Sequence, residues 1–500
     1  MKVAKYLSMG LLALTLGSCG SDYLDTEYTR YLDSETAGKV AGNQPDVFLN
    51  GIWSWQVEYS TAHDYFGLMS VLLSKDMMSE DISVSAFHWF CYDYDFDNRE
   101  FNYRRTSKDW LCFYTDISKA NDIINSFPKG ASTPGEKALL GQALAIRGMS
   151  YTYLPQIYQT YMNQDGSINR SAPGVPLILT QADGYSLDEL DALKGRNTVG
   201  DVLDQAGKDL EAAVENLSGA SYTRPSKNYV DLSVAQGLLA RYYLLTQQWD
   251  KAASAANAAR QGYTQRGNAE LHDGFMNVDA GDVMWGFNHT AETQTTYASY
   301  FSHISNLAPG YAGMNYCAKL IDARLYSQIA DDDYRKTLFN GPQGDATQPS
   351  AGAQLPYANL KFGSDGNWTM DYIYMRAAEM VLIEAEALAR QNQNAQAATV
   401  LGELMRNRQP SWNKSSVTVN DVLLQRRIEL WGEFGRMYDI KRLKQGFLRK
   451  AEDGWNSGAL LTGRPTTNPE NWMWVLTIPQ AEFDGNTSMN LSTDQNPLDD

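Results

Sequence analysis

Histidine and cysteine are scarce in this chain. Its 500 residues hold five histidines and four cysteines, scattered without zinc-type spacing, so an intrinsic metal centre is not expected. With Cys19 set aside as the lipid-attachment residue argued below, Cys91, Cys112 and Cys317 remain, an odd number that allows one disulfide pair at most. Net positive charge is also lacking. Against 42 Lys and Arg stand 59 Asp and Glu, a formal charge of -17 with no basic run. Such a surface repels phosphate backbones and excludes nucleic acid as a partner. Gly-x-Ser-x-Gly and His-Glu-x-x-His do not occur, so the common serine and zinc hydrolase signatures are missing.

What is present begins at the N-terminus. Lys2 and Lys5 precede an apolar run from Tyr6 to Leu16, then Gly17 and Ser18, then Cys19 and the polar Gly20-Ser21-Asp22. That order reads as a secretory signal peptide over residues 1–18. The run falls short of the roughly 20 apolar residues a spanning helix needs. Leu16-Gly17-Ser18-Cys19 resembles the bacterial lipobox, in which the cysteine is acylated and heads the mature protein. Each buried methylene contributes about 0.8 kcal/mol and stable anchoring takes more than one chain, so a multiply acylated Cys19 is a durable membrane anchor.

The body of the chain alternates helical hairpins with irregular stretches. Trp110, Phe113, Tyr114, Ile117 and Ile123 recur at helical spacing until Phe127-Pro128-Lys129-Gly130. Thr133, Pro134 and Glu136 then form a capping-box start to a second helix, lined by Leu139, Leu140, Ala143, Leu144, Tyr151 and Leu154. A further stripe runs from Asp201 to Leu217. The segments 234–260 and 382–406 read as tetratricopeptide-like hairpins, with small residues where paired helices approach. The expectation is an all-α chain whose hairpins, mainly within 107–160, 198–262 and 372–445, build a right-handed superhelical scaffold. Two stretches, 63–105 and 267–371, are rich in Gly, Asn, Asp, Tyr and Trp and poor in helix formers, and are expected to join as an irregular ligand face.

Three C-terminal blocks carry a family resemblance. They are Tyr374-Met375-Arg376-Ala377-Ala378-Glu379 with Glu384-Ala385-Glu386-Ala387, then Arg426-Arg427-Ile428-Glu429-Leu430 through Glu433, Arg436 and Tyr438-Asp439-Ile440-Lys441-Arg442, then Ile478-Pro479-Gln480-Ala481-Glu482 with Asn496-Pro497. In that order and spacing they resemble the SusD/RagB family, and the lipobox and the Ala145-Ile146-Arg147 helix extend the likeness over 19–500. The resemblance implies an all-helical surface lipoprotein with tetratricopeptide units, outer-membrane-anchored and facing the exterior. It implies a binder, not an enzyme, that captures an oligosaccharide, or in one branch a peptide, for a TonB-dependent, SusC-like receptor. The chain departs from the commoner pattern at Trp431-Gly432, where an alanine-phenylalanine pair is usual, and at Gly435 before Arg436, where a histidine often stands.

Weighing the chemical candidates favours aromatic recognition. Glu429 and Glu433 have the look of a glycosidase carboxylate pair. Their interleaving with Arg426, Arg427 and Arg436 at one-turn spacings instead predicts ion pairs along one helix face. The Asp93-Tyr94-Asp95-Phe96-Asp97-Asn98 run alternates like a calcium loop, but Asn98 and Arg104 stand where an EF-hand has glycine and glutamate, and a solvated acidic loop is the expectation. No cofactor is expected, with a calcium site built from some of these carboxylates as the alternative. Aromatic rings can lie on the apolar face of a sugar while Asp, Asn and Arg bond its hydroxyls. Trp89 and Trp285 are expected as platforms, with Tyr92, Tyr94, Tyr297, Tyr300 and Tyr311 as further rings. Asp81 and Asn288 are expected as polar partners, with Asp76 and Glu80 as candidates beside them.

Overall fold

A computed structural model describes residues 45–58, 62–293, 298–308, 310, 317–366, 368–433, 435–449 and 467–498. The signal peptide and Cys19 lie outside the described residues. In chain order the helices are α1 (Pro45–Gln56), α2 (Leu68–Met77), α3 (Cys91–Tyr94), α4 (Arg104–Ile124), α5 (Pro134–Tyr158), α6 (Leu187–Leu193), α7 (Val199–Ser218), α8 (Leu232–Leu245), α9 (Trp249–Ala259), α10 (Tyr300–Ile304), α11 (Ala323–Tyr326), α12 (Ala377–Arg390), α13 (Asn394–Met405), α14 (Val419–Glu429) and α15 (Arg436–Arg442), followed by two short terminal helices. The all-α expectation holds. Among the described residues, strands are confined to two antiparallel pairs, β1 (Ile82–Val84) with β3 (Lys319–Ile321) and β2 (Val283–Phe287) with β4 (Tyr372–Arg376).

The helices pack as a row: α4 on α5, α5 on α7, α7 on α8, α8 on α9, α9 on α12 and α12 on α13. Local chemistry sets each start. Thr133 Oγ1 accepts from the Glu136 N–H at 3.3 Å while the Glu136 carboxylate takes the Thr133 N–H at 2.9 Å, so α5 begins at the expected capping box. Thr198 and Asp201 repeat the device on α7. Glycine then lets these two helices come close. A Cβ on Gly148 would stand 2.7 Å from Leu210 Cγ, and one on Gly141 would stand 2.8 Å from Leu217 Cγ. Arg147, one residue before that contact, binds Asp209 at 2.7 Å, Asp183 at 2.6 Å and the Asn121 side chain at 2.8 Å, clamping α4, α5 and α7 together.

The stretch 63–105 is more structured than its composition suggests. Every residue of α2 is buried, from Leu68 to Met77. A helix buried on every side is a core element with no solvent-facing stripe to read, and its Lys75 is neutralised by an ion pair to Asp109. A second finding concerns the excursion between α9 and α12, two helices that pack directly although more than a hundred residues separate them. The excursion leaves along β2 and returns along β4, with Val283 opposite Arg376 and Phe287 opposite Tyr372. Asp371 seals this neck by accepting from the Val278 N–H at 3.0 Å, the His289 N–H at 2.9 Å and the Asn288 side-chain amide at 3.1 Å. The two irregular regions do meet, because β1 and β3 pair with Val84 opposite Lys319.

Candidate ligand-binding site

Beyond β1 the chain leaves the ladder and turns outward, and the rings it carries reach solvent. Phe87 is 53% exposed and Trp89 37% exposed, among the few large apolar side chains so placed. A tight turn follows, closed by the Cys91 N–H to the His88 carbonyl at 2.7 Å, which returns Phe90 to the core. Tyr92, half-buried, meets Phe87 edge-on at 5.2 Å, and Trp89 leans on His63 at 4.9 Å. These two ring pairs, linked through the turn 87–92, make up the aromatic row.

The row rests on a charged foundation. Arg105, buried at the start of α4, donates to the Trp89 carbonyl at 2.8 Å and places its guanidinium 5.3 Å from the Tyr92 ring centre. The same guanidinium pairs with Asp64 and Asp93. Burial alone would raise the Asp64 carboxyl, but Arg105, Lys108 and Arg104 together hold it well below the usual carboxylate range. It is therefore a fixed anion that orients the arginine. At the rim of this foundation, Arg104 pairs with Asp64 at 2.7 Å while keeping 42% of its side chain in solvent, and Tyr103 beside it is 44% exposed. Behind the row, His88 is pushed down to about 3 by burial, with Lys319 and His63 adding to the effect, so it is a neutral packing ring.

The structure divides the residues expected from the sequence. Trp89 and Tyr92 belong to the row. Tyr94 does not: it is fully buried, with the Arg449 guanidinium 3.5 Å from its ring centre. Trp285, expected in a loop, is a central residue of β2 and 1% exposed, its indole N–H donating to the Asn228 carbonyl at 2.9 Å. Tyr300 is buried in α10, its hydroxyl donating to the Gly432 carbonyl at 2.5 Å. Asp81 is buried in ion pairs with Arg427 and Arg436, and its carbonyl accepts from the Trp431 indole at 2.8 Å. Asp76 and Glu80 are likewise engaged by Arg436, through its backbone N–H at 2.9 Å and its guanidinium at 2.8 Å. Asn288 is exposed but gives its amide to Asp371. Tyr297 and Tyr311 lie outside the described residues. Tyr103 and Arg104, not expected from the sequence as site residues, are brought to the rim by the start of α4, and His63 by its contact with Trp89.

The expected ion pairs within the Arg426–Arg436 block are replaced by longer-range ones. Glu429 binds Arg408 at 2.8 Å, Arg376 at 3.2 Å and Arg335 at 3.3 Å, and Glu433 binds Arg376 at 2.6 Å and Lys361 at 2.5 Å. Arg426 turns instead to Asp439 at 2.8 Å. The two glutamates are thus buried and saturated with cationic partners. The departures at Gly432 and Gly435 are structural: their φ angles are +73° and +87°, and an added Cβ would press to 2.8 Å of Phe362 and Tyr438 respectively. A separate cavity lined by Tyr153, Arg241, Glu379, Tyr438 and Arg442 lies inside the helical row. Its charges are already paired, Arg241 to Glu379 and Arg442 to Glu386, each at 2.6 Å.

Comparison with known proteins agrees across the chain. Residues 353–498 match the model of the SusD family, and residues 56–244 match a second model described as starch-binding associating with outer membrane. The SusD-like protein P2 of Formosa agariphila is 24% identical over 385 residues, 67% of this chain and 71% of that protein. A SusD-like protein of Bacteroides ovatus is 22% identical over 387 residues, 66% of this chain and 64% of that protein. Among solved structures, a SusD-like carbohydrate binding protein from Bacteroides vulgatus superposes with a TM-score of 0.73 at 24% identity, covering 90% of this chain and 97% of that one. Surface glycan-binding protein A from Bacteroides uniformis gives 0.64 at 17% identity, covering 91% and 99%. Two models matching separate parts of the sequence, with one fold shared over nine-tenths of it, place this chain in the SusD family.

Proposed function

We propose that this protein binds an oligosaccharide at the bacterial surface through the Phe87–Trp89–Tyr92 row and passes it to a TonB-dependent, SusC-like outer-membrane transporter. The exposed row on a rigid, ion-paired base carries this reading. Sugar rings present flat apolar faces to which an indole or phenol is complementary, and such rings lose little conformational entropy on binding. The rim groups Arg104 and Tyr103 supply hydroxyl-bonding partners beside the row. The family models and the names of the relatives support carbohydrate binding and outer-membrane association. The saturation of Glu429 and Glu433 supports binding without turnover.

Trp89→Ala in the chain beginning at Gly20 is expected to weaken glycan binding by about 2 kcal/mol, roughly thirtyfold. Because the ring is partly in solvent, its removal leaves no large cavity and the thermal midpoint stays put. Titration calorimetry against a glycan panel, with a melting curve for each variant, measures both. Unchanged affinity for every glycan the parent binds, or release of reducing ends, would sink the reading.

Anchoring is a separate proposal, resting on the lipobox at Cys19. Among the described residues no helix is long and apolar enough to cross a membrane. Cys19→Ala is therefore expected to move the protein from the membrane fraction to the soluble fraction in cells lacking the transporter. Persistence in the membrane fraction there would overturn it.

A further inference from the structure

Two thiols stand directly beneath the aromatic row, and the backbone puts them there. The β1–β3 ladder continues past Val84 and Lys319, with the Ser85 N–H donating to the Ala318 carbonyl at 3.2 Å, so Ala86 lies beside Cys317. The turn after Ala86 then folds Cys91 back over the same residue. Both thiols donate to the Ala86 carbonyl, Cys91 at 3.5 Å and Cys317 at 3.0 Å. Both sulfurs are thus held around a single oxygen. The His88 N–H donates to the Cys91 sulfur at 3.0 Å, and Lys319 Nζ lies 3.6 Å from the Cys317 sulfur.

We propose that Cys91 and Cys317 are a disulfide-forming site that ties the aromatic loop covalently to β3. The oxidant is an external disulfide, either oxidised glutathione or a disulfide-carrying oxidoreductase. The Cys317 thiolate attacks one of its sulfurs and expels the other as a thiolate. Cys91, once deprotonated, attacks Cys317 Sγ in the mixed disulfide and releases the second. The two protein thiols lose two protons and two electrons, and the oxidant becomes two thiols.

The surroundings assign the order of attack. The neighbouring Cys91 thiol, against the opposing effect of burial and with the Lys319 ammonium adding to it, brings the Cys317 thiol down to about 6. The Cys317 sulfur and burial push Cys91 the other way. Both sulfurs are buried, so exchange takes place during folding or on local opening of the turn. The chemistry needs only a disulfide oxidant, so it stands apart from the glycan reading.

The test uses the full chain carrying Cys19→Ala, which leaves Cys91, Cys112 and Cys317. The purified protein is incubated with oxidised glutathione, denatured in the presence of an alkylating reagent and analysed by intact mass and peptide mapping. The expected product carries a single alkyl group, at Cys112, and a cross-linked peptide pair containing Cys91 and Cys317. Reduction before alkylation restores labelling at all three sites. The oxidised form is expected to melt several degrees above the reduced form, and Cys91→Ser and Cys317→Ser to abolish that difference. Full labelling of all three cysteines after oxidation, or a cross-link that includes Cys112, overturns the proposal. The peptide map decides the matter even if a serine variant fails to fold.

Discussion

Glu429→Ala is expected to destabilise the protein by about 3–5 kcal/mol, the cost of leaving buried charge without its partner. The Glu429 carboxylate stands at the end of α14 among the guanidinium groups of Arg408, Arg376 and Arg335, and all four side chains are essentially inaccessible to water. Arg376 retains Glu433 at 2.6 Å and Asp282 at 3.0 Å, and Arg335 retains Asp333 at 2.6 Å. Among the described residues Arg408 has no second carboxylate, only the Arg266 and Asn407 carbonyls, so the variant leaves its charge unpaired. Burial alone would raise the Glu429 carboxyl, but Arg408 first, then Arg376 and Arg335, hold it well below the carboxylate range. The folded state therefore binds fewer protons here than the unfolded state. This contribution is present above the unfolded carboxylate value and is lost as pH falls through the folded one. Urea unfolding at neutral and acid pH measures both features. The deficit of Glu429→Ala relative to the parent should shrink on acidification, and a neutral-pH loss below about 1 kcal/mol would contradict a desolvated network.

Trp285→Ala should cost a comparable 3–5 kcal/mol, the usual range for emptying a large aromatic site in a core. The indole sits in β2 against Tyr374, ring centres 5.0 Å apart, and loses its N–H bond to the Asn228 carbonyl as well as its packing. The strand has little freedom to collapse into the space. A Cβ on the next residue, Gly286, would already lie 2.4 Å from the Tyr372 carbonyl. Thermal unfolding should show a midpoint lowered by many degrees, while the fraction that remains folded keeps its glycan affinity. That is the reverse of the Trp89→Ala pattern. An unchanged midpoint with lost affinity would move Trp285 out of the core and into the site.

The contrast between these tryptophans shows where sequence reading stops. Helices with a stripe and a cap were legible: Thr133 and Glu136 start α5 where expected, and the hairpins of 234–260 and 382–406 are α8 with α9 and α12 with α13. Helix α2 escaped because a segment buried on all sides has no periodicity to detect. Aromatic density located the Trp89 and Tyr92 row but could not say which rings face out. Tyr92 and Tyr94 share the single turn of α3, yet one is half-exposed and the other lies under Arg449. That choice is made by residues distant in sequence, Arg105 on one side and Arg449 on the other. The polar partners failed for a related reason, since the arginines that consume Asp76, Glu80 and Asp81 arrive from some 350 positions away.

The neck formed by β2 and β4 carries an evolutionary consequence. It lets more than eighty residues depart from and rejoin the helical row at one place, so the row does not register how long the detour is. The entropy of closing a flexible loop grows only logarithmically, about 0.6 kcal/mol for each doubling of its length. Insertions in exposed stretches of the detour therefore leave the chassis nearly as stable as before, provided Asp371 and the paired strands still clasp its ends and Arg335, Lys361 and β3 keep their partners. A lineage can vary those exposed stretches without rebuilding the row, and an engineer can insert a foreign segment there while Phe287 and Tyr372 stay paired.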